Sequence, residues 1–224
     1  MGFGSGGVMK VIRYTLTIVL PLALFIIIAV NVIGHNAAGF DNYVYSAVSK
    51  LISPGLTEFM ILITFFGSGE FFTASAIILI IVFIALLKKG KYSFYTAMIV
   101  INLALAALLN TGIKYIVHRS RPDILRLIAI SGYSFPSGHS MISMSFYGLL
   151  IYLCYISFKT RWKYLMISLL AFLVFLIGLS RIYLGVHYAS DVLAGFSLGI
   201  FWVGIFSLII GPKCRKYKET IVKS

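Results

Sequence analysis

Six long stretches without a charged side chain constrain this chain more strongly than any other feature of its sequence. A helix needs about 20 apolar residues to cross the roughly 30 Å hydrocarbon core of a bilayer, with a range near 17–25. The six stretches have this length and cover residues 14–33, 71–87, 92–113, 140–158, 164–180 and 192–211. The sequence therefore predicts an all-α integral membrane protein, built as a bundle of six transmembrane helices.

The composition excludes the soluble classes of protein. Of the 224 residues, 60% are hydrophobic and 11% are charged, whereas ordinary soluble domains carry about 25% charged residues. A net charge of +13 would suggest a nucleic-acid partner in a soluble chain. Here the basic residues lie mostly in short clusters between the apolar stretches, a pattern typical of membrane topology signals. We therefore expect a lipid bilayer, and no nucleic acid, as the partner of this chain.

The distribution of Lys and Arg predicts how the chain is oriented. If the N-terminus is cytoplasmic, thirteen of the 19 Lys and Arg residues fall on the inner side and six on the outer side. The six outer residues are Lys50, Lys114, Arg119, Arg121, Arg126 and Arg181. Because Lys and Arg are enriched in cytoplasmic loops, we expect a multi-pass protein of the cell membrane with both termini in the cytoplasm.

Other parts of the chain lead to further expectations. Residues 1–9 are expected to form a flexible leader, and residues 10–224 a single membrane domain. The first apolar stretch exceeds the 7–15 residues that are typical of a signal-peptide core, so we interpret it as a retained helix. The apolar piece 59–66 is interpreted as an outer extension of the second helix, bent at Gly67 and Gly69; a separate interfacial helix is the alternative.

The first of three polar clusters lies at the outer end of the third helix. Lys114 and Arg121 are seven residues apart, a spacing that places both on one helix face two turns apart. Pro122 disfavours helix at the preceding residue, so the helix is expected to end there. The two cations can point at a common site, or they can bind lipid phosphates non-specifically.

The second cluster immediately precedes the fourth helix. Ser137 is a good N-cap, and the free N–H groups at the start of a helix bind anions. Gly138 would allow a ligand to approach the backbone closely, and His139 follows it. An ordinary capped helix with a chance histidine is the alternative.

The third cluster runs from the fifth helix into the sixth. His187 and Asp191 have the i, i+4 spacing of side chains on one helix face, and Arg181 precedes them by six residues. A carboxylate that accepts from one imidazole nitrogen leaves the other free as a nucleophile or base. A buried ion pair that only orients the helix is the alternative.

Together the clusters contain the groups that phosphoryl transfer requires. Three cations and the backbone donors near Gly138 can neutralise the oxygens of a phosphoryl group. His187 can attack phosphorus while His139 protonates the departing oxygen. We find no carboxylate cluster for Mg²⁺ and no Cys/His cluster for zinc. We therefore expect metal-free chemistry without a cofactor.

The three clusters resemble the signature of the type 2 phosphatidic acid phosphatase superfamily, which is K-x6-R-P, P-S-G-H and S-R-x5-H-x3-D. All three blocks match in order and without a departure, at residues 114–122, 136–139 and 180–191. The resemblance implies a six-helix bundle with its catalytic pocket at the extracytoplasmic face. It also implies hydrolysis of a phosphomonoester or diphosphate on a membrane lipid, such as phosphatidylglycerol phosphate, phosphatidate or undecaprenyl diphosphate.

The resemblance also implies the roles of individual residues. His187 would be the nucleophile that forms a phosphohistidine, Asp191 its partner, and His139 the general acid and then the general base. His118 and Arg119 lie between the signature positions and are interpreted as rim residues. The residues implied in phosphate binding are Lys114, Arg121, Ser137, Gly138 and Arg181.

Three alternatives to hydrolysis follow from the same sequence. A lipid phosphotransferase would use the same pocket with an acceptor other than water. A transporter would need ionisable residues at mid-span or a pair of broken helices, and only the break at residues 67–69 offers support. A non-enzymatic scaffold would typically lack His187 or Asp191, and both are present. The sequence leaves the oligomeric state open.

Overall fold

The structure is a computed structural model that describes residues 5–85 and 91–223, and helices form all of the regular secondary structure in these two ranges. A π-helical turn, Thr15–Val19, joins α1 and α2 into one continuous helix. The helices are α1 (Ser5–Tyr14), α2 (Leu20–Ile33), α3 (Ala38–Ser49), α4 (Pro54–Phe65), α5 (Gly69–Ala85), α6 (Lys91–Val117), α7 (Gly138–Ser157), α8 (Trp162–Tyr183) and α9 (Ala189–Lys223).

Among the described residues, six helical segments are long and apolar enough to cross a membrane, which confirms the six predicted spans. They are Val8–Ile33, Pro54–Ala85, Ser93–Val117, Gly138–Ser157, Trp162–Tyr183 and Ala189–Pro212. Large apolar side chains such as Ile27, Leu108 and Leu169 are exposed on these segments. An exposed apolar surface of this extent marks contact with a membrane. Residues 86 and 87 of the second predicted stretch, and residues 1–4 of the expected leader, lie outside the described residues.

The second span is interrupted in its N-terminal half, as the glycines predict. Helix α4 ends at Phe65 and α5 begins at Gly69, so residues 66–68 form a turn between them, which we call the α4–α5 turn. The apolar piece 59–66 is therefore helical and continues into the span through a bend. It begins earlier than expected, because Pro54 and the extended Ser53 start α4.

Helix α3 is absent from the predicted elements. Its 12 residues are too few to cross a bilayer, so a search for long apolar stretches does not find it. Phe40 and Tyr43 are exposed on this helix, whereas Asp41 is buried. Helix α3 packs against α8 and α9, and it therefore brings a buried carboxylate to the region of the third polar cluster.

Close packing of α7 against α9 positions the starts of both helices. Gly195 and Gly199 face α7, in the small-xxx-small spacing that lets two membrane helices approach closely. A Cβ atom on Gly195 would lie 2.8 Å from the carbonyl oxygen of Ser137, and one on Gly199 would lie 2.6 Å from Cβ of Met144. Only glycine at these positions allows the second polar cluster to lie against the third.

Candidate active site

The structure brings the three polar clusters together at one end of the bundle, where α6 and α8 end and α7 and α9 begin. The Ser137 N–H donates to the Asp191 carbonyl at 3.0 Å, which joins the second and third clusters. Nη1 of Arg121 lies 3.2 Å from Nε2 of His187, which joins the first and third. Residues that are up to 77 positions apart, from Lys114 to Asp191, therefore line one site.

His187 lies in a turn and not on a helix, so the expected shared helix face with Asp191 is wrong. Helix α8 ends at Tyr183 and α9 begins at Ala189. Gly185 bends the turn with φ +70, where a Cβ atom would clash with the Leu125 carbonyl. The His187 N–H donates to the Arg181 carbonyl at 3.2 Å. This turn places Nδ1 of His187 at 3.4 Å from Oδ2 of Asp191.

Ser134 connects His187 to Asp191, and its role was missed from the sequence. Its hydroxyl donates to Oδ2 of Asp191 at 2.5 Å and lies 3.2 Å from Nδ1 of His187. Once that proton is donated to the carboxylate, the hydroxyl oxygen can accept from Nδ1–H. The shorter contacts thus run from His187 through Ser134 to Asp191. Ser134 lies two residues before Pro136, and that adjacency is the only sequence signal for it.

The contact with Arg121 determines the tautomer of His187. A guanidinium can donate but never accept a hydrogen bond, so Nε2 of His187 must carry the lone pair that accepts from Nη1. Burial lowers the pKa of His187 to about 4, although Asp191 acts in the opposite direction. A neutral imidazole with its proton on Nδ1 and its lone pair on Nε2 is the form that attacks an electrophile.

Arg119 bridges two buried carboxylates, so its expected position at the rim is wrong. Its Nη1 lies 2.6 Å from Oδ1 of Asp191, and its Nη2 lies 2.7 Å from Oδ2 of Asp41. Burial acts to lower the pKa of Arg119, but the two carboxylates outweigh it and the pKa lies above the ordinary value. Its guanidinium also stacks over the Tyr188 ring at 4.0 Å.

Asp41 connects α3 to the start of α9 through hydrogen bonds. Its carboxylate accepts from the backbone N–H of Ser190 at 2.8 Å and from the Ser190 hydroxyl at 2.8 Å. The Ser190 hydroxyl oxygen in turn accepts from Arg119 at 2.8 Å. A buried carboxylate needs such partners because desolvation of an unpaired charge is unfavourable. Asp191 directly follows Ser190 in the sequence. Residues of three separate segments therefore hold Asp191 in place: Asp41 on α3, Arg119 after α6 and Ser190 on α9.

Lys114 and Arg121 converge through a loop, and not through the helix face that their spacing predicted. Helix α6 ends at Val117, and His118 adopts φ 51, so the chain leaves the helix four residues before Arg121. Both cations donate to the Tyr133 carbonyl, Lys114 at 2.5 Å and Arg121 at 3.3 Å. His118 is exposed, as expected of a rim residue, and its ring packs at a steep angle to the Tyr133 ring, with the ring centroids 4.6 Å apart.

The guanidinium of Arg181 has two N–H donors without a hydrogen-bond partner among the described residues. It is 1% exposed, and Nη1 donates to Oγ1 of Thr64 at 2.6 Å. Its Nε and Nη2 atoms are buried and have no hydrogen-bond partner among the described residues. Buried donors without partners are rare in proteins, and a guanidinium edge with two parallel N–H groups matches two oxygens of a phosphate.

The start of α7 is capped as predicted and presents further donors. The hydroxyl of Ser137 accepts from the backbone N–H of Ser140 at 3.4 Å, so this side chain serves the cap. Asn110 of α6 donates to the Pro136 carbonyl at 3.4 Å, and a Cβ on Gly138 would lie 3.1 Å from its Oδ1. The N–H groups of Gly138 and His139 have no partner within the described part of the chain. They are available to an anion.

A cleft of about 460 Å³ is lined in part by Arg119. Its polar lining includes His35, Asn42, His118 and Tyr188, whereas His139 and His187 do not line it. The cleft therefore lies next to the site, and the two histidines of the site do not line it. The described residues include no group of three His, Cys, Asp or Glu side chains that could hold a metal ion.

Comparisons with known proteins identify the family of this chain. The sequence profile of the PAP2 superfamily matches residues 94–214, which contain all three clusters. The site and the six spans thus define a membrane-embedded phosphatase. The chain belongs to the PAP2 superfamily.

Individual relatives span nearly the whole chain. Phosphatidylglycerophosphatase B of Bacillus subtilis is 32% identical over 88% of this chain and 97% of its own length. An undecaprenyl-diphosphatase of Sulfolobus acidocaldarius is 27% identical over 88% of this chain and 92% of its own length. The crystal structure of a transmembrane PAP2 type phosphatidylglycerolphosphate phosphatase from Bacillus subtilis superimposes with a TM-score of 0.72 at 29% identity, covering 84% of this chain and 94% of that one.

Proposed function

We propose that this protein hydrolyses a phosphomonoester or diphosphate on a membrane lipid through a phosphohistidine at His187. The observation that carries the proposal is the pair of contacts on the His187 ring. Nδ1 faces Ser134 and Asp191, while Nε2 accepts from a cation, Arg121. The nucleophilic lone pair therefore points toward the side chains that would hold a phosphate.

In the first step, the lone pair on Nε2 of His187 forms a bond to phosphorus and the bond from phosphorus to the leaving oxygen breaks. His139 donates a proton to that oxygen, since the alkoxide or phosphate of a lipid is a poor leaving group without it. Arg121 must release Nε2 for this attack, and a phosphate oxygen replaces that contact. Asp191 and Ser134 stabilise the positive charge that develops on the ring.

In the second step, water attacks phosphorus and the bond between phosphorus and nitrogen breaks. His139, now neutral, accepts a proton from that water, so inorganic phosphate leaves and His187 returns to its neutral form. The oxygens of the transferring group would be held by Lys114, Arg121 and Arg181 and by the free N–H groups at the start of α7. The mechanism uses no metal ion.

The names of the relatives supply the lipids to test. One is named for phosphatidylglycerol phosphate, a phosphomonoester, and another for undecaprenyl diphosphate, an anhydride. Both place a terminal phosphate next to an apolar tail, so both fit a site at the end of a membrane bundle. The charge distribution supports an extracytoplasmic site, because the topology predicted from the sequence counts six basic residues on the side of the three clusters and thirteen on the other side.

Phosphate release by the purified protein tests this proposal. The assay compares phosphatidylglycerol phosphate, phosphatidate and undecaprenyl diphosphate in one detergent by kcat/KM. It runs with and without excess EDTA, and with orthovanadate, which resembles the five-coordinate phosphoryl group. We expect activity that persists in EDTA and is inhibited by vanadate. Complete loss in EDTA with recovery on adding Mg²⁺, or transfer of phosphate to an alcohol in place of release, would contradict it.

A further inference from the structure

The interruption of the second span contacts two groups of the proposed active site. Thr64, in the last turn of α4, accepts from Arg181 at 2.6 Å. Gly67, in the α4–α5 turn, packs against His139 of α7. The carbonyl that the bend frees on Phe66 accepts from the Tyr147 hydroxyl at 2.9 Å. The interruption of the second span thus packs against α7, the helix that carries His139.

Thr64 controls the orientation of the Arg181 guanidinium. It is the only hydrogen-bond partner of the Arg181 side chain among the described residues, and both side chains are buried. A guanidinium is planar, so a fixed Nη1 also fixes the direction of the Nε and Nη2 donors on the opposite edge. Those are the two donors that have no partner.

Gly67 leaves no room for a side chain next to His139. A Cβ atom at this position would lie 2.5 Å from Cγ2 of Ile177, 2.9 Å from Oγ of Ser143 and 3.3 Å from Cδ2 of His139. Contacts below 3.0 Å force the neighbours to move, because buried side chains in a packed interior have few voids. The bare backbone of the turn therefore limits where the His139 ring can lie.

We propose that the interruption of the second span is a positioning element of the active site, in which Thr64 directs Arg181 toward the phosphate and Gly67 holds His139 in place. This inference rests on the proposed function, since Arg181 and His139 have their roles only there. A purely structural interruption would affect stability alone. A positioning element affects phosphate affinity through Thr64 and the proton-transfer step through Gly67.

The Thr64 arm of the test compares Thr64→Val, which removes the hydroxyl and keeps the shape, with Thr64→Ser, which keeps the hydroxyl. The control is Thr73→Val, because the Thr73 hydroxyl donates to the Gly69 carbonyl of its own helix. The readouts are the inhibition constant of vanadate, kcat/KM and the melting temperature in detergent. We expect Thr64→Val to weaken the binding of vanadate about tenfold or more, which is the effect of losing a hydrogen bond to a charged group. Thr64→Ser and Thr73→Val should stay within about threefold of the wild type, with melting temperatures close to it.

The Gly67 arm compares Gly67→Ala with Gly69→Ala, since a Cβ on Gly69 would meet no atom within 4 Å. We expect Gly67→Ala to lower kcat on a lipid phosphate about tenfold or more, because general acid catalysis contributes about 10²–10⁴-fold. The loss should be smaller on an aryl phosphate, whose leaving group needs little protonation. Gly69→Ala should retain full activity. Equal losses on both substrates would contradict a role of Gly67 in proton transfer.

Arg181→Ala separates a failure of this inference from a failure of the proposed function. If Arg181→Ala weakens the binding of vanadate and Thr64→Val does not, the positioning role of Thr64 is wrong and the proposed function stands. If Arg181→Ala leaves vanadate binding unchanged, the phosphate-binding role that the proposed function gives to Arg181 is wrong. In the Arg181→Ala background, Thr64→Val should cause no further loss, and an additional loss of the same size would overturn the inference. These comparisons remain decisive even if Gly67→Ala fails to fold.

Discussion

Arg119 and Asp191 form an ion pair whose nitrogen and oxygen atoms lie 2.6 Å apart, on the side of the carboxylate that does not face His187. Oδ1 of Asp191 takes this contact, while Oδ2 accepts from Ser134 and from the Tyr188 N–H. Asp191 is 0% exposed, so its orientation depends entirely on these protein partners. Through Arg119, the carboxylate that faces His187 is also connected to Asp41 on α3.

Arg119→Met should lower both activity and stability, because it leaves Asp41 and Asp191 buried without their cation. Removing one partner of a buried ion pair costs about 3–5 kcal/mol. Arg119→Lys should lose less, since the charge remains although one ammonium cannot bridge both carboxylates in the same way. The measurements are kcat/KM and the melting temperature in detergent.

Two further variants check the reason for that loss. Arg126→Met is the control, because Arg126 is exposed and donates only to the Pro122 carbonyl within the described residues. Adding Asp41→Asn to Arg119→Met should raise the melting temperature, since it removes one of the two unpaired charges. A double variant that melts below Arg119→Met would show that charge is not the cause.

Ser134→Ala should lower kcat by about 10–100-fold, as expected for a hydrogen bond to a charged group worth about 1.5–3 kcal/mol. The variant retains the longer His187–Asp191 contact of 3.4 Å, so the ring would be held less firmly. Ser197→Ala is the matched control, because the Ser197 hydroxyl donates to a carbonyl of its own helix. Equal activity of the two variants would mean that the Ser134 bridge has no part in catalysis.

His187→Ala and His139→Ala should differ in their dependence on the leaving group. His187→Ala should be inactive on every substrate, since it removes the atom that bonds to phosphorus. His139→Ala should lose much of the roughly 10²–10⁴-fold effect of a general acid on a lipid phosphate, and much less in the phosphorylation step on an aryl phosphate.

The deficit of His139→Ala should reappear in the hydrolysis step, so labelled phosphoenzyme should accumulate. Rapid quenching into alkali, which preserves phosphohistidine, measures this with both substrates. Any trapped intermediate in His187→Ala, or equal losses on the two substrates in His139→Ala, would overturn the assignment of roles.

The acidic limb of kcat/KM should lie well below the usual range of a histidine. Since burial lowers the pKa of His187 to about 4, the ring stays neutral and nucleophilic above that pH. It loses its lone pair to a proton as the pH falls through that value. The profile is corrected for the second ionisation of the substrate phosphate, measured separately by ³¹P NMR titration. A limb near pH 6.5, the ordinary pKa of histidine, would contradict this prediction.

The site should be accessible from outside the cell. After Cys154 and Cys214 are replaced by serine, a thiol reagent that cannot cross membranes should label Asp123→Cys in intact cells. It should not label Lys159→Cys, which lies in the loop between α7 and α8 at the opposite end of the bundle. Both positions are exposed, so permeabilised cells should show equal labelling of the two. The reverse pattern in intact cells would show that the charge distribution assigned the wrong side.

The parts of the structure that could be predicted depend on local physics. A bilayer requires about 20 apolar residues per crossing, so the six spans are visible in the sequence alone. The cap at Ser137 and the bend at Gly67 are also local, because each depends on residues within one turn of helix. The chain's membership in the PAP2 superfamily follows from three short motifs, each of which is contiguous in the sequence.

Local reasoning was wrong where a helix ends before the motif does. The spacing of Lys114 and Arg121 predicts one helix face, but α6 ends at Val117. The spacing of His187 and Asp191 also predicts one helix face, but α9 begins at Ala189. In both pairs the residues still meet, because loops held by backbone carbonyls replace the helix face. The spacing therefore pointed to residues that do meet, but they meet through loops and not on one helix face.

The sequence alone determined the spans, the orientation that we expect and the residues of the three motifs. Only the tertiary structure decided that Arg119 pairs with Asp41 and Asp191, that Ser134 bridges His187 and Asp191, and that Thr64 meets Arg181. The partners in these contacts are separated by 53 to 117 residues. The local sequence around each of these residues does not indicate which residue is its partner. A buried polar side chain must find a partner wherever the packing of the helices brings one, and that packing is a property of the folded chain.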